Sequence, residues 1–315
     1  MTLPMGRPMR EIFGETVAEL ANDDPRIVML DGDVGSSTRA DIFEKAHPGR
    51  YLQMGIAEQN MLGVAAGLAT MGLIPFISTF VSFAVVRPLD QIRVLIAQTG
   101  LNVKITPGYA GLFTGQTGMS HIIVDDMSIM RAMPGMVTVS PADDVEAREV
   151  LRWAAAYEGP CYVRLVRDAT QRLFDDTYRF TFGKAVSVRE GRDVTLISTG
   201  SQTPRVVDAA DLLAADGIDA HVVHVPTIKP LDVEAIVASA ERTGRVITVE
   251  EHSVIGGLGG AVAETLAEHR PTRVSRVGLQ DVFPQSGSND ALLEIYGLSA
   301  PRVADQVRAI LLADG

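Results

Sequence analysis

The chain has 315 residues, 46% of them hydrophobic and 21% charged, with a formal net charge of -11. A prior of ~150 residues per domain predicts two globular domains, each long enough to bury its own core. The acidic balance, with no local Lys/Arg cluster to offset it, excludes nucleic acid and anionic membranes as expected partners.

The opening run MTLPMGRPMR lacks the apolar core of a signal peptide. Met9, Ile12, Phe13, Thr16, Val17 and Leu20 recur at helical spacing, and 26–30 (RIVML) follows as a buried strand. Residues 59–86 carry no charge, which is long enough to suggest a membrane span. Gly72 and Pro75 interrupt it, so the prediction is a helix over 58–71, a strand over 74–78 and a helix reaching 98. Strands are predicted over 103–106, 136–140 and 161–166, with a helix over 143–157. Cys161 is the only cysteine, so no intrachain disulfide is possible, and a reducing, cytoplasmic setting is expected. In the β-rich run CYVRLV it reads as a small buried residue.

The polar stretch 167–183 leads into a second alternating unit, with strands over 194–198, 220–225 and 246–250 and helices over 204–215 and 260–268. Strands separated by helices predict parallel sheets covered on both faces. The expected fold class is α/β: two doubly wound domains over 1–175 and 191–315, joined by a linker over 176–190. Ligands in such sheets bind at the carboxyl ends of strands.

Three segments there carry candidate chemistry. In MGIAEQNMLGVAAGLA (54–69), Glu58 opens a nearly uncharged helix just after a strand. A carboxyl flanked by apolar residues is hard to solvate and able to share a proton with a ligand nitrogen. It is equally readable as a helix N-terminal acid favoured by the macrodipole. Phe80 and Phe83 in TFVSF share a helical face, suited to a flat heteroaromatic ligand or to plain core packing. The loop GYAGLFTGQTGMSH (108–121) holds four glycines and ends at His121, a proton-handling candidate or a structural histidine.

RPMREIFGE, LDGDVGSST, GIAEQNMLGVAAGLA, the phenylalanine pair, RAMPGMVTVSPAD and VEEHSVIGGLGG together resemble the transketolase family. The resemblance is to its split form and covers nearly the whole chain, as a pyrimidine-binding domain followed by a transketolase C-terminal domain. It implies a transferase that moves a two-carbon ketol unit from a ketose to an aldehyde with thiamine diphosphate. By matched position, Glu58 hydrogen-bonds the pyrimidine N1′, Phe80 and Phe83 stack on that ring, and Asp33 approaches the thiazolium. His121 contacts substrate. Arg10, Ser37 and Arg167 match positions that hold a sugar phosphate.

The resemblance also shows what differs. The family's GEDGxTHQ is GQTGMSHI here, with Thr117 for Asp, Ser120 for Thr and Ile122 for Gln, and Tyr109 stands where a phosphate-facing His is usual. A site built around a substrate hydroxyl rejects analogues strongly, so altered partners imply an altered, modified sugar. The family's GDG…N diphosphate motif is missing. Gly32-Asp33-Val34 followed by Asn60 imitates it, but the third glycine is absent and Asn60 shares a helix with Glu58. The expectation is therefore that no metal ligand lies on this chain. Mg²⁺ and the diphosphate belong to an N-terminal partner subunit, in an α2β2 assembly. GGLGG (256–260) resembles a nucleotide loop only weakly. Two alternatives stay open: the β subunit of a 2-oxoacid dehydrogenase E1 component, and a non-catalytic regulatory subunit of the same fold.

Overall fold

The structure is a computed structural model describing residues 3–313. Residues 1, 2, 314 and 315, at the outer limits of the two expected domains, lie outside it. A first sheet has seven strands in the spatial order Thr227–Lys229, Val137–Val139, Cys161–Val163, Lys104–Ile105, Ile74–Ser78, Ile27–Asp31 and Tyr51–Gln53. Neighbours run parallel, except that Thr227–Lys229 joins antiparallel. Ile27–Asp31 and Ile74–Ser78 are buried at every position, as a sheet covered on both faces requires. Cys161 is fully buried within it, and burial pushes its thiol above the usual range.

A second sheet has five strands, in the order Val274–Leu279, Val246–Ser253, Val194–Ser198, Ala220–His224 and Val186–Arg189. Only the last pairing is antiparallel, and its strand falls inside the stretch 176–190. Strand alternation divides the packing around this sheet. Leu196 and Val222 join one apolar cluster with Leu213 and Val307, while Ile197 and Val223 join another with Ile236 and Val262.

The two sheets are tied together. Thr227–Lys229, from the second half of the chain, completes the edge of the first sheet, and Met5–Pro8 pairs with Ala169–Gln171. Asp143 caps helix Asp144–Ala156 by accepting from the Glu146 amide at 2.9 Å. Its other oxygen accepts from the Leu173 and Phe174 amides. Buried Glu146 accepts from the Ala142 amide and the Tyr178 hydroxyl, and lies 2.8 Å from His224 of the second sheet.

The uncharged stretch 59–86 resolves into helix Glu58–Thr70, strand Ile74–Ser78 and helix Val81–Val86. No described helix is long and apolar enough to cross a membrane. The continuous helix expected up to residue 98 is a correction: it breaks into Val81–Val86, Leu89–Gln91 and a wider π-type stretch Ile92–Ala97. Pro88 lies at the break, where it offers no N–H to a continuing helix.

Candidate active site

The parallel strands of the first sheet deliver the candidate residues to one edge. Asp33 follows Ile27–Asp31, Glu58 follows Tyr51–Gln53, and Phe80 follows Ile74–Ser78. Tyr109 follows Lys104–Ile105, and Arg167 follows Cys161–Val163. Asp31 builds the first of these turns. Fully buried, it accepts from the Val34 and Gly35 amides and from the Ser78 hydroxyl.

Glu58 opens its helix and is only 4% exposed. The apolar flanking sequence gives no sign of one charged neighbour: its Oε1 accepts from Arg87 Nη1 at 2.9 Å. The Arg87 guanidinium in turn lies 4.0 Å from the centre of the Phe83 ring. Phe80 and Phe83 are half-buried rather than core, with ring centres 6.0 Å apart. His121 stands edge-on to Phe83 at 5.0 Å and 5.8 Å from Phe80, its Nδ1 2.9 Å from Ser120 Oγ. Thr79 Oγ1 and Ser82 Oγ are buried beside this pair without a hydrogen-bond partner among the described residues. A flat ring with its own polar edge fits such a surface.

A cavity of about 530 Å³ adjoins it, lined among others by Ser37, Phe80, Tyr109, Thr117, Arg167 and Asn289. Tyr109 has φ +70°, a costly conformation for a residue with a Cβ. It is held there by its ring against Phe80 at 4.1 Å and by its hydroxyl, which donates to the Ser37 carbonyl at 3.3 Å. Arg10 donates to the same carbonyl, and Arg167 lies 5.5 Å from the centre of the Tyr109 ring. Thr117 is exposed on the cavity wall, and its hydroxyl donates to the Thr114 carbonyl at 2.6 Å. Asp33, also at positive φ, stands exposed at this edge, and no hydrogen bond among the described residues ties its side chain to the others.

The glycine-rich loop is anchored on the second domain. Leu112, Ile122 and Val124 enter that domain's apolar cluster, which gives Ile122 a packing role. The Leu112 amide donates to Glu251, and the Gly115 amide to Asn289 Oδ1 at 3.3 Å. Gly111 (φ +61°) leaves no room for a Cβ, which would meet Glu251 and Arg164. The GGLGG run is filled by the protein itself: Glu250 accepts from the Leu258 and Gly259 amides at 2.7 and 2.8 Å. Burial pushes the Glu250 carboxyl up to about 7.

Sequence reasoning missed three participants. Arg87 lies 29 residues from Glu58 and joins it only through the fold. Asp168 accepts from Arg167 Nη1 at 2.6 Å and from Asn289 Nδ2 at 3.0 Å. Asn289 belongs to the second domain, and no local pattern marks it. The acidic neighbour of Arg167 was the one legible clue.

The family model for the transketolase pyrimidine-binding domain matches residues 6–172, and that for the transketolase C-terminal domain matches 183–303. The chain therefore belongs to the transketolase family. It is 42% identical to the 6-deoxy-6-sulfo-D-fructose transketolase subunit SqwH of Clostridium sp. strain MSTE9, across 94% of this chain and 92% of that one. It is 38% identical to a subunit of the apulose-4-phosphate transketolase of Phocaeicola vulgatus, across 92% and 93%. A solved structure described as a split gene transketolase, inactive beta4 tetramer, superposes with a TM-score of 0.88 at 45% identity, covering 96% of this chain and 98% of that one. These relatives favour the transketolase branch over a 2-oxoacid dehydrogenase subunit or a non-catalytic one.

Proposed function

We propose that this chain is the pyrimidine-binding subunit of a two-chain transketolase that moves a two-carbon ketol unit from a modified or phosphorylated ketose to an aldehyde. The observation that carries the reading is the half-exposed Phe80/Phe83 pair beside buried Glu58 and His121. Thiamine diphosphate, when bound, supplies the nucleophilic carbon and the electron sink that ketol transfer needs.

The chain's own residues do the rest. Phe80 and Phe83 hold the pyrimidine face. Glu58, screened from water, holds a proton at N1′ once Arg87 releases it. Arg87 is 45% exposed, so its guanidinium can leave without unpacking the core. His121 moves a proton at the substrate oxygen nearest the ring pair. Asp33 faces the thiazolium side, while Arg10, Ser37, Tyr109, Thr117 and Arg167 shape the path of the sugar.

The Mg²⁺ and diphosphate site is assigned to a partner subunit in an α2β2 cytoplasmic assembly. Two things support a partner. Val86 and Leu89 flank Arg87 as exposed apolar residues, and Ile56, two residues before Glu58, is exposed as well; the similar split-gene protein is described as inactive as a tetramer of β chains. The domain limits 1–175 and 191–315 belong to the same proposal, supported by the two sheets. The test is thiamine-diphosphate-dependent ketol transfer by this chain mixed with its partner. Either chain alone is expected to be inactive, and full activity of this chain alone would overturn the two-chain reading.

A further inference from the structure

Arg167 and Asp168 follow the strand Cys161–Val163 of the first sheet and line the cavity beside Tyr109, which Asn289 of the second domain also lines. Asp168 Oδ1 takes Arg167 Nη1 at 2.6 Å, and its Oδ2 accepts from Asn289 Nδ2 at 3.0 Å. Both carboxylate oxygens are thus turned to the guanidinium and the amide. A guanidinium carries five N–H donors, so with Nη1 engaged the rest of the fork stays available to a ligand. Asn289 is held as well. Its Oδ1 accepts from the Gly115 amide at 3.3 Å, and the Gly287 amide donates to the Gly115 carbonyl at 3.0 Å. A Cβ on Gly115 would meet the Gly287 carbonyl and Leu292 at 2.6 Å, so the two segments are pressed together. Ser288 caps the helix Asn289–Ile295 by accepting from the Ala291 amide, which leaves the Asn289 side chain free of capping duty.

We infer that Asn289 is a positioning residue: acting through Asp168, it fixes the Arg167 guanidinium, so that the second domain sets how tightly a sugar phosphate is held. This rests on the transketolase reading above and deepens it. An arginine side chain at 37% exposure has many rotamers to lose when it meets an anion. The pair with Asp168 alone would restrain it little, because Asp168 is itself 33% exposed and such pairs are weak. A third group anchored on another domain changes this. Asn289 holds Asp168 from one side, and Asp168 aims Arg167 before substrate arrives. Preorganisation of this kind lowers the cost of binding and suits the flat two-point contact that an arginine makes with a phosphate. Asn289 needs no contact with substrate to do so.

The experiment uses the assembled enzyme with thiamine diphosphate and ketose donors with and without a terminal phosphate, xylulose 5-phosphate and xylulose among them. Wild type is expected to turn over a phosphorylated donor. Asn289→Ala is expected to raise the KM for that donor about fivefold or more with kcat unchanged, the mark of lost binding rather than lost chemistry. Its thiamine diphosphate affinity and thermal midpoint stay near wild type. Asp168→Ala, at the more exposed end of this run of bonds, raises KM in the same way and serves if the first variant folds poorly. In the Asp168→Ala background, Asn289→Ala adds nothing further, because the two act along one path. Additive effects, an unmoved or lowered KM, or a fall in kcat or in cofactor affinity overturn the inference and leave the transketolase reading standing. So does a wild type that accepts unphosphorylated donors alone. Failure of every ketose to turn over overturns that reading, and the inference with it.

Discussion

Glu58 and Arg87 pose the sharpest question at the scale of single residues. A carboxyl at 4% exposure is bound to a guanidinium that itself rests on Phe83, so the ring site and the proton site share one neighbour. Glu58→Gln keeps the shape and removes the proton-holding carboxylate. Its kcat in the assembled enzyme is expected to fall by ~10²-fold or more with little change in thermal stability. Undiminished turnover would remove Glu58 from the chemistry. Phe83→Ala takes away one wall of the ring site and should weaken thiamine diphosphate binding about tenfold, measured by titration of the assembled enzyme. Unchanged affinity would return Phe83 to a packing role. These residues were legible because the motif around each is short and contiguous. Arg87 and Asn289 were not, since their partners lie 29 and 121 residues away in sequence.

At the scale of elements, the buried strands were read from apolar runs, because a strand covered on both faces advertises itself by composition. The expected helix up to residue 98 shows the limit of that reading. Helical periodicity ran through Pro88, and the missing N–H of a proline prevailed. Short pairings such as Thr227–Lys229 with Val137–Val139 depend on where the two sheets meet, which no window of sequence contains.

Strand Val246–Ser253 also carries a pH prediction. His252 is fully buried; its Nε2 accepts from the Met127 amide and its Nδ1–H donates to the Ser253 carbonyl, so both nitrogens are satisfied by the neutral ring. Burial lowers its pKa to about 4. A depressed value means the unfolded chain binds the proton first. The stabilisation from the neutral ring is complete above the ordinary histidine range and is lost as pH falls toward 4. Relative to His252→Gln, wild type should lose up to about 3 kcal/mol over that window in denaturant unfolding. Parallel pH profiles for the two proteins would deny His252 this role.

The whole molecule is held as one unit by a few buried polar contacts between its sheets. Glu146 receives Tyr178, the Ala142 amide and His224 at full burial, from both halves of the chain. Glu146→Ala leaves those groups unpaired and should cost about 3 kcal/mol or more in urea unfolding, since breaking a buried network strands its partners. A loss below ~0.5 kcal/mol would show that apolar packing alone joins the domains. The joined arrangement matters for function, because the candidate cavity has walls from both domains, with Tyr109 and Arg167 on one side and Asn289 on the other.

The account rests on a ring held by this chain and a diphosphate held by another. A crystal structure of the assembled subunits with thiamine diphosphate tests it most directly. The pyrimidine is predicted to lie against Phe80 and Phe83, with a Glu58 oxygen in hydrogen-bond contact with N1′, Arg87 displaced, and every diphosphate and Mg²⁺ contact made by the partner. A cofactor bound elsewhere, or Glu58 still paired with Arg87 while the ring is in place, would contradict it.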